Sequence, residues 1–166
     1  MREKFSFTGV KPHLVLEKKI QESREHIVLK LIAYLMFSGR LKVEQKIGYK
    51  YIPALSGEDK DGRIIWVECG DVGEKKIAFF RKHPEKFSVF FFKTDSTGVR
   101  KLEDTLKKFS VTGVAYGFEK RFIDGISTHL FRTNHVKYKL SGGEIKIRIN
   151  GGNFSSVIYS NLLKAV

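Results

Sequence analysis

Two carboxylates and a pair of lysines have the types and order that phosphate chemistry needs. Glu68 ends the apolar run Ile64-Ile65-Trp66-Val67 and is followed by Cys69, Gly70 and Asp71. A run this apolar reads as a buried central strand, where a charge is costly unless it is paired, hydrogen-bonded or metal-bound. Its carboxyl end is where ligands gather in open α/β sheets. Glu25 lies early in an upstream helical segment, and Lys75 and Lys76 open the helical segment just downstream. Hard carboxylate oxygens can hold Mg²⁺ or Mn²⁺ together with waters and a substrate phosphate. A nearby lysine would stabilise charge on the transferring phosphate. The competing reading is structural: Glu68 emerges at the strand tip into solvent, or caps the helix that starts near Gly73.

The elements that must position these residues follow from hydrophobic spacing. Phe5–Phe7 and Leu14–Leu16 read as strands. From Glu22 to Met36, Ile27, Val28, Leu31, Ile32, Leu35 and Met36 recur at three- and four-residue steps, predicting a helix with one buried face. Glu22 and Glu25 suit the helix dipole in its first turns, and Ser38-Gly39 ends it. Leu41–Gln45 and Tyr49–Leu55 are short strand candidates, followed by a charged turn over Ser56–Gly62. Beyond the Arg63–Cys69 strand come a helix (Gly73–Lys82), an apolar strand (Phe87–Phe92), a helix (Val99–Lys108), a strand (Ser110–Tyr116) and a helix (Phe118–Ile126). The tail reads as an antiparallel meander of Val136–Leu140, Glu144–Asn150 and Phe154–Ser160, with turns at Gly142-Gly143 and Gly151-Gly152. The predicted class is α/β: one domain with a mixed β-sheet flanked by helices and a C-terminal meander.

Composition narrows the partners. The 166 residues carry 31 Lys+Arg against 18 Asp+Glu, a formal charge of +13 that attracts polyanions. Nucleic acid is therefore the leading partner class. Lys146 and Arg148 alternate with Ile145, Ile147 and Ile149, predicting one wet basic face and one buried face. Lys46 and Lys50, alternating with Tyr49 and Tyr51, form a second candidate contact strip. Charged residues at 30% with only Gln21 and Gln45 as glutamines also match thermophile surface chemistry, which explains many charges but not their imbalance. No apolar run approaches the roughly 20 residues of a membrane span. The charged start Met1-Arg2-Glu3-Lys4 lacks a signal-peptide core, and the single cysteine, Cys69, suits a reducing cytoplasm. His13, His26, His83, His129 and His135 show no zinc spacing.

These residues resemble the YaeQ family, whose fold is similar to PD-(D/E)xK restriction endonucleases. The helix Glu22-Ser23-Arg24-Glu25-His26-Ile27-Val28-Leu29-Lys30-Leu31-Ile32-Ala33-Tyr34-Leu35 looks like that family's acidic opening and Leu-rich helix. Trp66-Val67-Glu68-Cys69-Gly70 looks like its Trp-Ile-Glu-Leu-Gly signature, and Glu74-Lys75-Lys76-Ile77 like the basic start of its next helix. Arg132-Thr133 and the Gly142-Gly143 hairpin fall where similar features lie, so the likeness covers nearly the whole chain. The resemblance implies a restriction-endonuclease-like core in which Glu25 is the helix carboxylate and Glu68 the acid of the (D/E)xK element. Two positions depart from the nuclease pattern: Ala54 after Pro53 stands where its Asp would fall, and Gly70 where its Lys would, as is expected throughout the family. Asp59 or Asp61, and Lys75 or Lys76, are the candidate replacements.

Three functions compete. The chain is a nucleic-acid-binding domain with a degenerate nuclease site, an active Mg²⁺-dependent nuclease using Glu25 and Glu68, or a protein–protein adaptor around transcription. Ala54 and Gly70 favour loss of the chemistry over its retention, and fold likeness does not establish activity.

Overall fold

The computed structural model describes residues 2–164. Chain order is β1 (Glu3–Thr8), β2 (Leu14–Lys18), α1 (Arg24–Met36), β3 (Lys42–Val43), β4 (Leu55–Glu58), β5 (Ile64–Cys69), α2 (Glu74–Arg81) and β6 (Phe87–Phe92). It continues with α3 (Ser96–Lys108), β7 (Val114–Gly117), α4 (Lys120–Thr128), β8 (Thr133–Ser141), β9 (Glu144–Ile149), β10 (Gly152–Val157), β11 (Tyr159–Ser160) and a 3₁₀ turn, Asn161–Lys164. The strands form two mixed sheets, one ordered β10-β9-β8-β1-β2 and the other β11-β7-β6-β5-β4-β3. The predicted meander is present as β8–β9–β10, and its parallel pairing to β1 attaches the N-terminal hairpin to it. The chain then leaves that sheet, and β11 pairs antiparallel with β7 in the other.

Helices α1 and α4 lie between the sheets. Their Ile27, Leu31, Ile123 and Ile126 join one core with Phe5, Phe7, Ile145 and Ile147 of the first sheet and Val67 and Phe92 of the second. Helices α2 and α3 cover the opposite face of the second sheet, where Ile77, Phe80, Leu102 and Leu106 meet Trp66, Val89 and Phe91. Because side chains alternate along a strand, β5 sends Val67 and Cys69 toward α1 and Trp66 toward α2.

The predicted one-faced α1 is instead enclosed: every residue from Ile27 to Leu35 is buried. Lys30 is buried with them, its Nζ 2.6 Å from both Glu22 Oε1 and Glu44 Oε1. Glu22 lies ahead of the helix rather than in its first turn. Ser23 is the N-cap, its hydroxyl accepting the His26 N–H while His26 Nδ1 accepts the Ser23 N–H.

Residues 49–54 are not a strand. Glu44 turns the chain with φ 45°, and the segment crosses α2 with Tyr49 packed on Phe87 (5.0 Å between rings) and Tyr51 on Phe79 (5.2 Å). Aromatic burial overrode the local β-pattern. The charged turn is shorter than predicted, because β4 already occupies Leu55–Glu58. It is held by Asp59 Oδ1, which accepts the N–H groups of Asp61 and Arg63, both at 2.9 Å.

Candidate functional site

Glu68 falls on the same face of β5 as Trp66, beneath α2. It is 6% exposed and fully engaged. The indole N–H of Trp66 donates to Oε1 at 2.7 Å, and Lys76 Nζ lies 3.1 Å from Oε1 and 3.2 Å from Oε2. Lys76 also sits over the Tyr51 ring at 5.3 Å. Of the two candidate lysines the fold brings Lys76 to Glu68 and leaves Lys75 exposed, one residue further round the helix. Asp59 cannot replace the missing carboxylate. Its Oδ2 accepts the Ser88 hydroxyl near the start of β6, where Ser88 pairs with Ile65, about 10 Å along β5 from Glu68. Asp61 is exposed in that same turn. Ala54 packs against the core between the sheets, and its N–H donates to the Val67 carbonyl at 3.0 Å.

Gly70 accounts for the absent lysine of the third element. The chain turns there with φ +82°, and a Cβ would lie 2.4 Å from His26 Nε2. A side chain at this position meets both backbone strain and the imidazole.

Glu25 opens α1, on the side of β5 opposite Glu68, with Oε1 3.5 Å from Lys120 Nζ. It lines a cleft of about 310 Å³ at the carboxyl ends of β5 and β6, together with His26, Gly70, Asp71, Lys93 and Asp95. Lys93 was not singled out by the sequence, since a lysine just after a strand carries no special pattern. It is 9% exposed and its Nζ donates to the Gly70 carbonyl at 2.7 Å. Burial pulls its pKa below the ordinary lysine value, partly offset by the carboxylates of Asp71, Glu68 and Asp95.

The residues do not fit a Mg²⁺ or Mn²⁺ centre. Both Glu68 oxygens already face donors, Glu25 pairs elsewhere, and the carboxylates that flank the metal in the nuclease pattern are not gathered. Among the described residues no group of three or more His, Cys, Asp or Glu is placed to hold a metal. What the Glu68 arrangement does is tie β5 to α2 by a mostly buried ion pair.

Lys146 and Arg148 do sit on an exposed face, with Ile145, Ile147 and Ile149 buried behind them as the alternation predicts. The register adds two cations that the same alternation in Val136-Lys137-Tyr138-Lys139-Leu140 contained: Lys137 stands directly opposite Arg148, and Lys139 directly opposite Lys146. Asn153 and Ser155 continue the two rows on β10. Together these residues line a shallow concavity of about 430 Å³. None of the four cations has a carboxylate within 4.0 Å among the described residues. The other predicted strip is not formed. Lys46 and Lys50 are exposed on the irregular segment rather than on a strand face, Lys50 lies over Tyr51 at 5.4 Å, and both tyrosines pack into the α2 cluster.

No helix is long and apolar enough to cross a membrane among the described residues. A family model described as YaeQ protein matches residues 13–158. The fold is similar to the crystal structure of YaeQ protein from Xanthomonas axonopodis pv. citri, with TM-score 0.73, 14% identity, and coverage of 96% of this chain and 97% of that one. It is also similar to YaeQ protein from Pseudomonas syringae, with TM-score 0.71, 15% identity, and coverage of 97% and 95%. No match is found among curated proteins.

Proposed function

This chain belongs to the YaeQ family, and from that premise we propose that it is a nucleic-acid-binding domain whose interface is the outer face of β8–β10. The observation that carries the reading is the pairing of like charges across the meander. Lys137 faces Arg148 and Lys139 faces Lys146 with no acid between them. Directly opposed like charges destabilise a sheet, so the free protein bears a cost that a bound polyanion would relieve. The net charge of +13 supplies long-range attraction of the same sign.

The Glu68–Lys76 pair is structural in this reading, and the nuclease core is a scaffold whose acids and lysine have been redirected. Ala54, Gly70 and the commitment of both Glu68 oxygens support loss of metal-dependent cleavage, so no catalytic step is assigned. Anisotropy titration of labelled nucleic acid with wild type and with Lys137→Gln/Lys139→Gln/Lys146→Gln/Arg148→Gln tests it. Wild type should bind with an affinity that falls steeply with salt, and the variant should lose most of that binding while melting no lower. Equal binding by the two proteins would remove this face as the interface. Absence of binding at low salt would leave the protein-adaptor reading. Nicking of supercoiled DNA by wild type with Mn²⁺, lost in Glu68→Gln, would restore the nuclease.

A further inference from the structure

Resting on the nucleic-acid reading above, we propose that the β8–β10 face takes the sugar–phosphate backbone of a duplex, without reading base sequence. The four cations form a two-by-two array. Successive outward residues along one strand are about 6.7 Å apart, and opposed residues across the antiparallel pair are about 5 Å apart. Long lysine and arginine side chains rising from such a grid offer several charges to phosphates along one stretch of backbone. Beside them the third strand ends in the exposed Val157, opposite Glu144, and sets Asn153 and Ser155, short neutral groups, opposite Arg148 and Lys146. Such groups can donate to phosphate oxygens, but they are too short to reach past a backbone to base edges.

Among the described residues, β8, β9 and β10 turn no aromatic ring to this face, although the backbones of Tyr138 and Phe154 border the concavity. Alternation sends Tyr138, Ile147 and Phe154 to the other side of the sheet, where Phe154 packs edge-on to His129 at 4.9 Å and covers Gly125. Single-strand binders rely on aromatic platforms for sequence-tolerant affinity, and this surface lacks them. Without stacking, affinity comes from charge density alone. A duplex presents about twice the phosphate charge per unit length of one of its strands, so it is the better ligand for a bare cationic grid. Recognition confined to phosphates carries no direct sequence information.

The test is a salt series with four probes of equal length: duplex DNA of one sequence, duplex DNA of a shuffled sequence, duplex RNA, and single-stranded DNA. The two DNA duplexes should bind within about threefold of each other, and a duplex should bind on the order of tenfold tighter than the single strand. Four phosphates neutralised on duplex DNA predict a slope of log K against log salt of about −3.6. Lys137→Gln/Lys146→Gln, with its fold confirmed by thermal melting, should make that slope shallower by about 2. Tight binding of either duplex type in this pattern supports the assignment. Single-strand binding as tight as duplex, or a large difference between the two sequences, overturns it while leaving the nucleic-acid reading intact. An unchanged slope in the double variant overturns the assignment of the face. Failure of all four probes at low salt overturns the underlying reading as well.

Discussion

Substituting Lys137 by Glu should strengthen the fold and weaken the proposed function. In wild type Lys137 stands opposite Arg148, with Lys146 as the diagonal neighbour on β9 and Lys139 two residues along its own strand. A glutamate there converts an opposed like pair into an opposed ion pair and meets no carboxylate at those positions. Cross-strand charge pairs are worth roughly 0.2–1 kcal/mol, and like pairs cost a similar amount, so the swap should stabilise by about 0.5–1.5 kcal/mol. For a chain of this length that raises Tm by about 1–6 °C, with the gain shrinking as salt screens an exposed pair. Binding should move the other way, with the salt slope shallower by at least about 1. Calorimetry at low and moderate salt, run beside an anisotropy titration, reads both. A lower Tm would mean that Lys137 is held by folded contacts the register does not contain. A higher Tm with unchanged nucleic-acid binding would refute the claim that the opposed cations serve a polyanion.

Four other outcomes follow from the buried contacts. Trp66, fully buried against Phe80 at 5.3 Å and Phe87 at 5.1 Å, should cost roughly 3–5 kcal/mol as Trp66→Ala in denaturant unfolding. Glu68→Gln should destabilise by about 1–3 kcal/mol and Mn²⁺ should leave both melting curves unmoved, because the carboxylate serves Lys76 and Trp66; a wild-type Tm raised by Mn²⁺ and lost in the variant would contradict this. Gly70→Ala should lose at least about 1–2 kcal/mol by thermal melting, from the left-handed backbone and the approach of His26. For Glu22, burial pushes the carboxyl up, but the Lys19 N–H and the Lys30 ammonium outweigh it and hold the folded pKa low. Its stabilisation is therefore complete above the ordinary value of about 4.3 and is lost as pH falls through the lower folded value, so Glu22→Gln should lower Tm at neutral pH and flatten the acid limb of the stability profile.

Much of the framework was legible because it rests on local periodicity. The β5 and β6 runs, the helices α2 and α3, and the glycine turns of the meander are each specified by spacing or by a residue suited to one conformation. The basic face of β9 was legible for the same reason, since a period of two places Lys146 and Arg148 together regardless of what lies around them. Two expectations failed for different reasons. Tyr49 and Tyr51 leave the strand pattern because their partners, Phe79 and Phe87, are distant in sequence, whereas Glu22 is held ahead of the helix by the nearby Lys19 N–H and by Lys30, eight residues on.

The sequence by itself determined the charge balance, the types of most elements and the fact that a carboxylate ends a buried strand. What that carboxylate does was a tertiary decision. Parity along β5 turned Glu68 toward α2 while α1 packed on the other face, so Lys76 and Trp66 met it and Glu25 did not. Register decided the surface as well: only the pairing of β8 with β9 sets Lys137 against Arg148 and Lys139 against Lys146. Spacing along a chain fixes which residues share a face of one element, but which faces confront each other depends on how distant elements bury their apolar sides.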